Sequence, residues 1–322
     1  MSLDVLRLTA CFMVVLIHSP KPGIGTPGFV LSGLSYLTAP FIGLFFMVSG
    51  ALLLPKQGSC IERFDTKMFL RKRFSKVLFP TIIWTLASLL LEGCGIKNSE
   101  RDILWFMYTL LGVYLLTPVL SRWLCVAKRT EVEIYLCIWL LTVCMPFVKL
   151  FIPVNESDSS WLYYFHGYVG YYVLGWYLSR FAFDKLRWCV YGGLLLFFSF
   201  FLPLFVLWKH VEFNFYSLFW YLSISVVLIC VLWWHLCHKV KPVPYLVTKL
   251  SNLSFGIYLI HILILRNILW KIDWISTLFG EGHPLSGLAQ IVICTCLTFF
   301  LSAILCYLLS LTAIGKYLIG TR

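Results

Sequence analysis

Leu3-Asp4-Val5-Leu6-Arg7-Leu8-Thr9-Ala10-Cys11-Phe12-Met13-Val14-Val15-Leu16-Ile17-His18 reads as one hydrophobic helix that carries a permanent cation and an imidazole. At about 100° per residue, the steps from Arg7 to His18 return to within roughly 20° of the starting direction. Both side chains therefore share a face, about 16 Å apart along the axis. A guanidinium turned to lipid costs at least ~2.5–3.5 kcal/mol, so this face is expected to look into a polar interior. A fixed cation low in the helix and a titratable group above it suit an anionic ligand and a reacting proton held in line.

The rest of the chain extends the membrane reading. Of its 322 residues 60% are hydrophobic and 12% are charged, and the mean hydropathy is +0.87, outside the range of soluble domains. Apolar runs long enough to span a bilayer recur from end to end. The 27 Phe, 17 Tyr and 13 Trp suit lipid contact and interfacial belts. The net charge of +12 does not indicate nucleic acid, because the basic residues cluster in short connections between apolar runs. There they act as topology signals and attract anionic lipid.

The pattern predicts an all-α, polytopic integral membrane protein forming a single domain over 1–322. About ten transmembrane helices are expected, near 3–18, 36–54, 77–91, 103–121, 132–152, 162–180, 188–208, 216–236, 252–270 and 287–313. Connections such as Pro20-Lys21-Pro22-Gly23, Glu92-Gly93-Cys94-Gly95, Asn155-Glu156-Ser157-Asp158 and Gly280-Glu281-Gly282-His283-Pro284 carry the turn residues. One set of loops holds Lys56, Arg63, Lys67, Arg71, Lys72, Arg73 and Lys76, then Arg122, Lys128 and Arg129, then Arg180, Lys185 and Arg187, then Lys239, Lys241 and Lys249. The opposite loops are poor in Lys and Arg, so both termini are expected in the cytoplasm, with Arg7 toward that side and His18 toward the outer one. The first helix lacks a small-residue cleavage site and is expected to persist in the mature protein. No duplicated block of helices is visible, unlike many transporters. The 12 Cys do not read as a disulfide framework: Cys11, Cys137, Cys144, Cys230, Cys294, Cys296 and Cys306 fall in apolar spans, and Cys94 falls in an outer loop. No metal site is expected; Cys294-x-Cys296 is too close and too apolar for zinc.

Each polar residue in this setting has two readings. His18 is either an interfacial histidine beside Ser19 and Pro20 or a general base with a pKa suited to working pH. Arg7 is either the i, i+3 partner of Asp4, snorkelling at the inner interface, or an anion-binding group that Asp4 orients. Arg71-Lys72-Arg73-Phe74-Ser75-Lys76 is either a positive-inside anchor or a phosphate cradle in which Arg73 and Lys76 share a helix face. His261, in the middle of an apolar helix, is either functional or bonded to a backbone carbonyl. Trp105, Tyr108 and Tyr114 suit packing or the interfacial belt. Ser49-Gly50 offers a nucleophile or a site of close helix contact. Gly-rich phosphate loops, HExxH and paired-carboxylate motifs are absent.

Five segments in order resemble the membrane acyltransferase-3 family, whose members O-acylate cell-surface carbohydrates. They are Leu3-Asp4-Val5-Leu6-Arg7 through His18, Phe45-Phe46-Met47-Val48-Ser49-Gly50, the basic run ending in Pro80, Leu104-Trp105-Phe106 through Thr117-Pro118, and Phe255-Gly256-Ile257-Tyr258-Leu259-Ile260-His261. The resemblance implies that Arg7 and His18 are the family's Arg-x10-His pair, with His18 the catalytic base. It implies that Arg73 and Lys76 match the family's Arg-x-x-Arg motif; Lys keeps the charge and loses the bidentate fork. The histidine that often precedes Leu-Trp-Phe is Ile103 here, so no role carries over at that point.

The implied activity is O-acetyl transfer from acetyl-CoA, or another acyl-CoA, to a hydroxyl of a surface polysaccharide or lipid-linked sugar. Arg71, Arg73 and Lys76 would meet the donor phosphates, while His261, Trp105, Tyr108 and Asp4 would line the substrate path. No permanently bound cofactor is expected, and membrane lipid is the surrounding partner. The implied location is a bacterial-type inner (plasma) membrane. The other reading is a transporter or flippase for a lipid-linked sugar or small anion, which also needs intramembrane charge.

Overall fold

The computed structural model describes residues 2–21, 28–55, 65–93, 105–152, 164–181, 188–201, 219–238, 243–272 and 284–321. Every regular element among them is helical. In chain order these are α1 (Ser2–His18), α2 (Gly28–Leu53), α3 (Thr66–Gly93), α4 (Trp105–Val126) and α5 (Arg129–Phe151). Then come α6 (Val169–Arg180), α7 (Trp188–Leu196), α8 (Ile224–His238), α9 (Tyr245–Asn267), α10 (Pro284–Ser310) and the short α11 (Ala313–Leu318). Among the described residues, five stretches are long and apolar enough to cross a bilayer: Val30–Leu53, Trp105–Val126, Arg129–Val148, Tyr245–Lys271 and Gly287–Ser310.

Helix and hydrophobic span are different things, and the boundaries show it. The sequence places the third helix at 77–91, yet α3 begins at Thr66 and runs through the basic segment. Lys and Arg are good helix formers, so the helix continues where hydropathy ends. The same holds for α9, which starts at Tyr245 rather than 252. The sixth helix is shorter than expected: Gly167 has φ of 114° and the helix starts only at Val169. Phe197–Phe201 widens into a π turn after α7. The tenth stops at Ser310, and Thr312 then caps α11 by accepting from the Gly315 N–H at 3.0 Å. The expected loops at 94–95, 155–158 and 280–283, and Lys56, Arg63, Ile103, Leu104, Lys185, Arg187, Lys239 and Lys241, lie outside the described residues.

The contacts divide the chain into two interleaved units: Met1–Leu6, Ser32–Phe64 and Leu116–Pro242, and Arg7–Leu31, Asp65–Leu115 and Val243–Arg322. In the first, α2 and α6 run antiparallel at backbone contact. A Cβ on Gly50 would sit 1.8 Å from the Tyr172 carbonyl oxygen, and one on Gly175 would sit 2.0 Å from that of Met47. Glycine is required at both positions because the backbones touch, the usual device where no hydrophobic effect drives helices together in lipid. Gly50 of the Ser49-Gly50 pair is thus a close-contact residue. Buried aromatics complete the unit, each with its polar tip satisfied: Tyr172 hydroxyl to Thr117 Oγ1 at 3.0 Å, Tyr171 to the Tyr221 carbonyl at 2.7 Å, Trp139 to that of Gly167 at 2.9 Å.

In the second unit α1 and α9 lie side by side and parallel. Cys11 Sγ donates to the Ser254 carbonyl at 3.4 Å, and the rings of His18 and His261 are 5.5 Å apart. Both contacts join residues 243 apart in sequence, seven residues further along each helix, so one register holds over two turns. α10 runs antiparallel to them. Phe299 meets Phe12 at 5.4 Å, and a Cβ on Gly256 would fall 2.9 Å from Cys306 Sγ. α11 and the last residues pack on α3, where the Trp84 indole donates to the Leu318 carbonyl at 3.1 Å. The outer faces carry Leu288, Val292, Phe300 and Ile304 on α10 and Ile82, Leu86 and Leu90 on α3. Such rows suit hydrocarbon, not water. The described cysteines are all free.

Candidate active site

Helix α1 ends at His18 because Ser19 and Pro20 follow it, leaving its last carbonyls without intrahelical partners. Side chains and loop backbone take them over. The Ser19 hydroxyl donates to the Val15 carbonyl at 2.8 Å, and the Ser19 N–H donates to that of Leu16 at 3.2 Å. Across from it, Gln290 of α10 donates through Nε2 to the Ser19 carbonyl at 3.1 Å, and the Lys21 N–H donates to Gln290 Oε1 at 3.4 Å. Thr295 Oγ1 lies 2.9 Å from Ser19 Oγ. Ser19, Gln290 and Thr295 are all buried. An unsatisfied polar group there would cost about 1–3 kcal/mol, so this closed network fixes where α1 ends and where His18 stands.

His261 is fully buried beside it. Its Nδ1 lies 2.6 Å from the Tyr258 carbonyl oxygen one turn back. A carbonyl only accepts, so Nδ1 carries the proton and Nε2 of the neutral ring keeps its lone pair. Nε2 is buried with no hydrogen-bond partner among the described residues. One ring nitrogen is thus bonded to backbone, as one of the two expected readings has it, and the other is unbonded among the described residues. Arg266, five residues on, stacks its guanidinium on Trp270 at 5.6 Å and stands close enough to act electrostatically on both imidazoles.

The remaining sequence-derived residues take distinct places. Arg7 and Asp4 are half-buried on α1, one turn apart, and each makes interactions within the protein. Arg73 and Lys76 are half-buried while Arg71, Lys72 and Ser75 are exposed. That is the shared face that a spacing of three predicts on a helix. Arg73 lies over the Phe69 ring at 5.8 Å. A Cβ on Gly320 would fall 2.4 Å from the Lys76 carbonyl and 2.7 Å from the Phe255 ring. Lys76 is thus level with a part of α9 that precedes His261, toward the Arg7 end. Trp105 is half-buried against Phe106, whose ring lies 5.5 Å from Tyr258. Tyr108 is exposed, with its hydroxyl 3.0 Å from Thr85 Oγ1 on α3.

Sequence reasoning misses Ser19, Arg266, Gln290 and Thr295 as members of the site. Gln290 and Arg266 are polar groups in long apolar helices, a signal the sequence carries. Ser19 and Thr295 have none, since helical hydroxyls normally bond their own backbone. Among the described residues no three His, Cys, Asp or Glu side chains are grouped to hold a metal.

No match is found among curated proteins or among solved structures. The acyltransferase-3 family model, described as an acyltransferase domain, matches residues 2–307, which takes in the helix bearing Arg7 and His18, the basic turn of α3 and the His261 helix. The chain belongs to that family of membrane acyltransferases.

Proposed function

We propose that this acyltransferase moves an acetyl group from acetyl-CoA to a hydroxyl of a surface polysaccharide or lipid-linked sugar, with His18 as general base. The observation that carries the reading is the pairing of His18 with a buried second imidazole, at the end of the helix that bears Arg7. A base needs a fixed position and a nearby polar setting for the proton it takes, and the Ser19 network and His261 supply both.

The acceptor hydroxyl gives its proton to the His18 imidazole as its oxygen attacks the thioester carbonyl. The C–S bond breaks, and the departing thiolate of CoA takes that proton. Arg73 and Lys76, with Arg71 nearby, pair with the donor phosphates at the cytoplasmic end. Arg7 holds the donor deeper, and Asp4 orients Arg7. Trp105 and the exposed Tyr108 stand farther out on the substrate path. The bundle excludes water that would hydrolyse the thioester. In this reading the chain crosses a bacterial-type inner membrane about ten times with both termini in the cytoplasm.

Radiolabel transfer from acetyl-CoA by the purified protein, followed by mass spectrometry of glycans from cells with and without it, tests the reaction and the acceptor. Labelled glycan is expected; a protein that moves lipid-linked sugar across vesicles with no label transferred would overturn the reading. Arg7→Lys is expected to lose most activity, because a bidentate grip becomes a point charge. Tolerance of Lys, with Asp4→Ala as harmful as Arg7→Ala, would return Arg7 to a structural pair.

A further inference from the structure

Helix α10 carries two hydroxyls that behave unlike most others in the molecule. Helical Thr81, Thr85, Thr109, Thr142, Ser254 and Thr295 each turn back onto a carbonyl three or four residues earlier, at 2.6 to 3.1 Å. Thr298 and Ser302 are fully buried and make no hydrogen bond among the described residues. Four residues apart, they lie on one face of α10, about 6 Å apart along its axis.

Their height in the unit follows from the contacts on either side. Thr295 of α10 is level with Ser19, and Cys306 is level with Gly256. Thr298 and Ser302 lie between those two levels. His261 falls in the same interval: it stands beside His18, just before Ser19, and five residues beyond Gly256. Three buried, unbonded polar atoms, Thr298 Oγ1, Ser302 Oγ and His261 Nε2, therefore occupy one stretch of the α9–α10 layer. A single orphan in a protein core is a local defect; three in one stretch call for a polar guest. The stretch lies on the Arg7 side of His18, the side from which Lys76 and Arg73 would hand up a donor.

We propose that Thr298, Ser302 and Nε2 of His261 bind the amide-bearing thioester arm of the acyl donor as it passes from the Arg7 end toward His18. Hydroxyls both donate and accept, which suits the alternating N–H and C=O groups of such an arm. This rests on the acyl-CoA reading above. The arm is held by neutral hydrogen bonds and the phosphates by charge, so the two halves of the donor separate experimentally.

Initial rates in reconstituted vesicles, measured against acetyl-CoA and against acetyl-pantetheine, test the assignment in Thr298→Val, Ser302→Ala and the double variant. The donor concentration for half-maximal rate is expected to rise about 2–10-fold per hydroxyl, the worth of one ordinary hydrogen bond, and to rise with both donors. The melting temperature is expected to hold or increase, because each variant deletes a group that is unsatisfied in the empty protein. Arg73→Ala with Lys76→Ala should impair acetyl-CoA alone. Unchanged donor saturation in the hydroxyl variants, or a shift in acceptor saturation instead, overturns the arm assignment. So does a fall in melting temperature that accounts for the lost rate. Wild-type protein that transfers from neither donor would overturn the acyl-CoA reading itself and the arm assignment with it.

Discussion

The two contact units both bring helices close at glycines, and they differ in how the polar groups buried between those helices are used. In the α2–α6 unit, glycines let backbones touch, and the buried tyrosine and tryptophan tips of Tyr171, Tyr172 and Trp139 are all bonded. In the α1–α9–α10 unit, the buried imidazole and hydroxyls of His261, Thr298 and Ser302 are left with unused bonding capacity. Satisfied polar groups lock one arrangement, whereas unsatisfied ones carry a stability cost that a ligand can offset. Ser121 Oγ and Arg180 Nε in the first unit also lack a partner among the described residues, so the contrast lies in the grouping of three such atoms on α9 and α10.

Substitutions on each side make that contrast breakable. The largest effect belongs to His18→Ala: about a 10²–10⁴-fold loss of transfer, with insertion and melting unchanged, since one half-buried imidazole does not hold the bundle. Near wild-type acetylation of the glycan would end its role as the base. Gly50→Ala should do the reverse. Its Cβ would meet the Tyr172 carbonyl, so α2 and α6 must separate, at a cost of about 1–3 kcal/mol. Thermal melting in detergent should fall, while the rate per folded molecule stays close to normal. A Gly50→Ala protein that melts normally would show that the close approach is not needed.

Arg73→Ala with Lys76→Ala should weaken CoA binding by an intermediate amount. Calorimetry at low and raised salt should show salt mimicking part of the loss, because both cations are only half-buried. Unchanged affinity would leave the run as a topology signal. The smallest effect is expected from Gln290→Leu, which removes the donor to the Ser19 carbonyl and the acceptor for the Lys21 N–H. Neutral hydrogen bonds are worth about 0.5–1.5 kcal/mol each, so stability should drop modestly. If the network also positions His18, kcat should fall while donor saturation holds; a kcat equal to wild type would confine Gln290 to helix capping.

Much of this architecture is legible in the amino-acid sequence. Hydropathy locates the helices, because a bilayer demands long apolar runs whatever their neighbours. Helix periodicity places Arg7 with His18 and Arg73 with Lys76, because those pairs lie within a few turns of one helix. Boundaries are less legible, as at Thr66 and Val169, since hydropathy reports where lipid begins and not where backbone bonding ends. Side-chain surroundings are less legible too: Trp105 and Tyr108 share a helix face by spacing, yet Trp105 is half-buried while Tyr108 is exposed with its hydroxyl 3.0 Å from Thr85 Oγ1.

What the sequence determined by itself was therefore the class of protein, the family, and the pairs made within single helices. What only the tertiary structure decided was how distant helices meet. It placed His18 beside His261 and tied Ser19 to Gln290 and Thr295. It also left Thr298 and Ser302 unbonded among the described residues, where Thr81, Thr85, Thr109, Thr142, Ser254 and Thr295 return to their own backbone. A period of 3.6 residues fixes directions around one axis. Rotation and register between axes depend on where small residues such as Gly256 let two helices approach, and that is a property of both surfaces together.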